Sequence, residues 1–126
     1  MGGSTRKRER PKRRGSRGPA SADRASDGLQ EMDKCRQQID AIDEELLRLL
    51  NDRARCAIEV GDIKKRLGLS VYSAEREAEI LGRAGTMNQG PLEEAAIRRL
   101  FERIIDESRR LERLAVQDPP TPAKED

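Results

Sequence analysis

Three cations occur at spacings that chemistry could use: Arg36, Arg53 and Lys64. Arg53 and Lys64 are eleven positions apart, which on a helix leaves them roughly 20° out of line and about 16 Å apart along the axis. Their long side chains can lean together around one small anion. Arg36 lies seventeen positions before Arg53, or about 25 Å on the same helix. It cannot reach that anion within one chain. In an antiparallel pair of such helices, Arg36 of one copy can lie beside Arg53 of the other. For any one of them taken alone, a solvated surface cation is the simpler reading, and charge spacing does not decide between the two.

Further along the chain, Ser108 and Glu112 lie one turn after Ile104 and Ile105 and so flank an apolar stripe. A serine there can simply bond back to the preceding turn. A glutamate beside apolar side chains is costly unless it is paired or protonated, so packing explains Glu112 least well.

These residues need helices to carry them. The stretch from Leu29 to Leu67 has no proline and is rich in Leu, Arg, Glu, Gln, Ala and Lys, all strong helix formers. Apolar residues recur along it at helical spacing: Met32, Cys35, Ile39, Ile42, Leu46, Leu49, Leu50, Ala57, Val60 and Leu67. As one helix it is roughly 58 Å long, too long for a small domain to cover without a partner. Gly68, after three cations, predicts its end. Ser73 is the expected N-cap of a second helix, from Ala74 to about Met87, with Glu75 and Glu77 in its first turn. Pro91 fits the first position of a third helix running to Val116. Its stripe is Ile97, Leu100, Phe101, Ile104, Ile105, Leu111 and Ala115. The expected class is all-α, in one domain over residues 29–116.

Composition narrows the chemistry. Charged residues make up 40% of the 126 and aromatics 2%, which leaves little bulk for a monomeric core and predicts oligomerisation. There is no histidine, which removes Ser-His-Asp and Cys-His catalysis. The two cysteines, Cys35 and Cys56, would be about 31 Å apart on the long helix, too far to bridge within one chain. Cys35 falls within the stripe, where a buried free thiol is expected. Free thiols suit a reducing cytoplasm. No metal site and no membrane span are expected, nor a signal peptide, because no apolar segment follows the basic N-terminus.

Residues 1–28 carry net charge +6, against −4 for the remainder. With almost no large apolar residue, they are expected to be disordered. No aromatic is interleaved to stack on bases, so this basic tail is read as a solvated extension, or as residues added by a start placed too far upstream, rather than as a nucleic-acid contact. Residues 117–126, with three prolines, are likewise expected to be disordered.

The pieces form a series. R-x-x-I-D-x-I-D-x-x-L-x-x-L-L-x-x-R from Arg36 leads to E-V-G-x-I-K at Glu59–Lys64, then E-R-E at Glu75–Glu77 and L-F-x-x-I-I-x-x-S at Leu100–Ser108. In order and spacing, over about residues 29–115, this closely resembles the all-helical chorismate mutases. The resemblance implies an intertwined antiparallel homodimer of three-helix subunits with shared active sites. It also implies the rearrangement of chorismate to prephenate, on the route to phenylalanine and tyrosine, with no cofactor.

Carried over residue by residue, Arg36 would reach a substrate carboxylate in the partner subunit, and Arg53 would bind one in its own. Lys64 would contact the ether oxygen and a carboxylate. Arg76 and Glu77 match an Arg-Glu pair in which Glu77 takes the substrate hydroxyl. Ser108 matches a serine near a carboxylate, and Glu112 a Gln or Glu facing the ether oxygen. Ser73 stands where many bacterial members have Asp at the hydroxyl end, and an arginine found near Tyr72 in some members is absent. An isochorismate pyruvate-lyase on the same architecture is one alternative. Others are a non-catalytic helical dimer whose tail binds nucleic acid, and a mutase activated by another enzyme of the pathway.

Overall fold

A computed structural model describes residues 18–117, with side chains from residue 21. Among these residues the fold is all-α and has three helices: α1 (Gly18–Leu67), α2 (Ala74–Met87) and α3 (Glu94–Gln117). The extreme N-terminal residues of the basic tail and residues 118–126 lie outside the described part.

The chain divides into two compact units, the first ending at Leu46 and the second beginning at Leu47. The first unit is the N-terminal part of α1, which begins eleven residues earlier than the expected Leu29. Between Pro19 and Leu29 the sequence has three alanines and no further proline. Once the strong helix downstream is nucleated, adding one hydrogen bond per residue suffices to extend it backward. The basic tail is therefore helical from Gly18 on, contrary to the disorder expected through residue 28.

Leu29, Met32, Ile39, Ile42 and Leu46 are all exposed along this part of α1. Cys35, expected as a buried thiol, is exposed for the same reason: the stripe around it has no cover among the described residues.

The second unit holds the rest of α1 with α2 and α3. α1 ends as the glycine signal predicts. Gly68 takes φ 69, and Leu69 N–H bonds to the carbonyl of Lys64 at 2.8 Å. Ser73 caps α2 as expected, its Oγ accepting from Arg76 N–H at 3.2 Å.

α3 starts at Glu94, not at Pro91. Asn88 is the cause. Its Oδ1 accepts from Gly90 N–H at 3.1 Å and its Nδ2 donates to the Leu92 carbonyl at 2.8 Å. These bonds, with Gly90 at φ 77, hold the connection in a turn past Leu92. The first α3 bond runs from Ile97 N–H to the Glu93 carbonyl.

The core is small, with Ala57 of α1 and Ile105 of α3 as its buried apolar side chains. α1 and α3 meet closely at Gly61. A Cβ placed there would stand 2.8 Å from Ala115 Cβ and 2.9 Å from both Cα and the carbonyl oxygen of Glu112. Only a residue without a Cβ lets the helices approach this far, which explains the one glycine of the 29–67 stretch.

Candidate active site

The helices of the second unit enclose a cleft of about 50 Å³, lined by Arg53 and Lys64 of α1, Ser73, Arg76 and Glu77 at the start of α2, and Arg109 and Glu112 of α3. Val71, Ile80 and Ile105 supply its apolar wall. Helical spacing accounts for the α3 set: Ile105, Ser108, Arg109 and Glu112 recur three or four residues apart and so share one face.

Lys64 Nζ donates to Glu112 Oε1 at 2.7 Å and to the Val71 carbonyl at 2.7 Å. Both side chains of this ion pair are mostly covered, at 19% and 16% exposure. The carboxylate that packing could not explain is thus paired across the α1–α3 contact. Arg53 Nη1 donates to Ser108 Oγ, which ties the serine of α3 to α1. The hydrogen-bond partner of Arg53 is a neutral hydroxyl, and no ion pair ties its guanidinium to a carboxylate among the described residues.

Glu77 is held by Arg109 at 2.8 to 3.0 Å through both carboxylate oxygens. Arg109 also lies over the Tyr72 ring, 5.6 Å from its centroid. Hydrogen bonding to Glu77 raises the Arg109 guanidinium above its ordinary value, against the opposing effect of burial. Arg76 lines the cleft, but its guanidinium turns outward to Glu79 at 3.1 Å in an exposed pair. Such a pair contributes little.

Seven of the eight expected site residues therefore gather at this cleft or its edge: Arg53, Lys64, Ser73, Arg76, Glu77, Ser108 and Glu112. The eighth, Arg36, is exposed in the N-terminal unit. Arg109 is a site residue that sequence reasoning passed over. Two signals point to it. It continues the Phe101–Ile105 row by four residues, and Glu77 near an apolar wall needs a cationic partner.

The family model for chorismate mutase type II matches residues 35–113, which include every residue of this site. The chain belongs to the chorismate mutase type II family. Two bifunctional chorismate mutase/prephenate dehydratases are relatives. The protein from Neisseria gonorrhoeae is 42% identical over 78 residues, covering 62% of this chain and 21% of that protein. The protein from Aquifex aeolicus is 36% identical over 89 residues, covering 68% and 25%. The chain thus spans about a fifth to a quarter of the length of these curated relatives. A solved chorismate mutase from Thermus thermophilus (Form II) superposes with a TM-score of 0.65 at 36% identity. The match covers 66% of this chain and 94% of that one. In this member of the chorismate mutase family, both covered ion pairs of the cleft, Lys64–Glu112 and Glu77–Arg109, lie inside the matched segment.

Proposed function

We propose that the chain rearranges chorismate to prephenate, acting as an isomerase in phenylalanine and tyrosine biosynthesis. The reading rests on family membership and on one observation. Lys64 of α1 and Glu112 of α3 meet at 2.7 Å in the cleft that Arg53 also lines.

The reaction breaks one C–O bond and forms one C–C bond within a single molecule, so it needs neither a nucleophile nor a redox group. Two tasks remain for the protein. The first is to hold the dianion folded so that its reacting carbons approach. Arg53, steadied by Ser108, takes one carboxylate, and Arg36 of a second copy takes another. The second task is to stabilise negative charge growing on the ether oxygen as the C–O bond breaks. Lys64 donates there, and Glu112, its partner in the cleft, faces the same oxygen. Glu77 accepts the substrate hydroxyl. Ser73 caps the helix that presents Arg76 and Glu77 at the cleft.

The homodimer belongs to the same proposal. The uncovered stripe of the N-terminal unit supports it. So does an apolar groove of about 270 Å³ beside Arg53 and Ser108, lined by Leu50, Ala54, Ile104 and Leu111. No described helix is long and apolar enough to cross a membrane. A cytoplasmic site of action fits two free, exposed cysteines.

The deciding experiment follows the loss of chorismate and the formation of prephenate by the purified chain, with isochorismate in parallel. Release of pyruvate from isochorismate in preference to chorismate turnover would identify a lyase. A folded chain that consumes neither substrate would refute the enzymatic reading.

A further inference from the structure

Glu77 and Arg109 form the most completely bonded ion pair among the described residues. Arg109 Nε donates to Oε2 at 3.0 Å, and its Nη2 donates to Oε1 at 2.9 Å and to Oε2 at 2.8 Å. Its Nη1 faces Asp106 at 3.4 Å, and its plane lies over Tyr72. The guanidinium is therefore committed to two protein carboxylates and one ring. Arg53 differs in having a neutral serine as its partner. On this contrast Arg53 is built to meet an external anion, whereas Arg109 is built to hold an internal one.

The consequence falls on Glu77. A planar fork bonding both carboxylate oxygens fixes the plane of the carboxylate as well as its charge, which an ammonium cannot do. An ionised carboxylate accepts and does not donate, and it has about four lone-pair sites. The fork leaves acceptor capacity on Glu77, and the cleft borders it.

We infer that Arg109 is a positioning residue for the rearrangement: it locks Glu77 as an oriented, acceptor-only carboxylate for the substrate's ring hydroxyl, and so sets the preference for substrates that carry that hydroxyl. The inference rests on the proposed mutase activity. In this role Arg109 acts through Glu77 and not on the substrate itself.

The test compares kcat/KM for the wild-type chain, Arg109→Met, Arg109→Lys, Glu77→Gln and the double variant Glu77→Gln/Arg109→Met. Two substrates are used, chorismate and its analogue lacking the ring hydroxyl. Arg109→Met should lower kcat/KM for chorismate by about 100-fold, the scale of a misplaced contact. Arg109→Lys keeps the charge but not the fork, and should lose about tenfold. Turnover of the analogue should change less than about threefold, and the double variant should be no worse than Glu77→Gln alone, because coupled residues are not additive. Melting curves accompany each variant. If Arg109→Met does not fold, Arg109→Lys carries the same comparison. Equal losses on both substrates, or additive losses in the double variant, overturn the inference. A folded wild-type chain that leaves chorismate untouched removes the mutase reading first, so the two failures are told apart.

Discussion

Replacing Gly61 by alanine probes the geometry at its tightest point. The new methyl group would stand 2.8 Å from Ala115 Cβ and 2.9 Å from the Glu112 backbone. Carbon atoms settle at about 3.5–4.0 Å, so the helices must separate locally by roughly 0.7–1 Å. Backbone atoms on the α3 side cannot rotate out of the way. The Lys64–Glu112 contact is 2.7 Å, and a displacement of this size carries it to about 3.5 Å, the edge of hydrogen bonding.

The effect on stability is modest because two contributions oppose. Alanine favours the helix by about 1 kcal/mol over glycine. Overpacking costs about 1–3 kcal/mol. The expected net loss is thus about 0–2 kcal/mol. Catalysis should suffer more, since a misplacement near 1 Å is worth about 100-fold in rate. The assay is steady-state chorismate depletion with a thermal melt on the same sample. Gly82→Ala is the comparison: nothing lies within 4 Å of a Cβ there, so it should raise stability by about 1 kcal/mol with unchanged turnover. A folded Gly61→Ala protein with wild-type kcat/KM would show that the close approach does not set the position of Glu112.

Three further outcomes are expected. Mixing inactive Arg36→Ala and Arg53→Ala proteins under subunit exchange should restore activity, because one site of each mixed dimer keeps both arginines; no recovery despite proven exchange counts against a shared site. Sedimentation at micromolar concentration should show a dimer, and an active monomer there would contradict the cover proposed for the α1 stripe. Glu112→Gln places a permanent donor beside Lys64 and should keep or raise kcat for chorismate, whereas Glu112→Ala should lower it; equal losses in the two variants would remove Glu112 from the ether oxygen.

The long helix, its glycine stop, the Ser73 cap and the α3 stripe, apart from the exposed Leu100, were legible because each rests on local spacing and backbone chemistry. The early start of α1 was not, because weak local propensity at residues 18–28 yields to propagation from a strong neighbour. The late start of α3 was missed because Pro91 is permissive at a helix start, while Asn88 holds the loop through bonds that no pattern displays. Most of the cleft was legible from family spacing. Arg109 was not, because an arginine followed by another reads as a solvated pair. Its partnership with Glu77 spans 32 positions, and only the fold brings the two together.

The bond from Lys64 to the Val71 carbonyl has a consequence that follows from valence. An ammonium carries three N–H groups and no more. In the free site one is given to Val71 and another to Glu112. A single donor is left for the ether oxygen and the carboxylate that the proposed substrate would offer Lys64. The loop carbonyl is backbone and stays where the chain puts it, whereas Glu112 is a side chain that can let go. On the proposed reading substrate entry is therefore an exchange of partners at one nitrogen, in which the carboxylate guarding Lys64 gives up its place to an incoming oxygen.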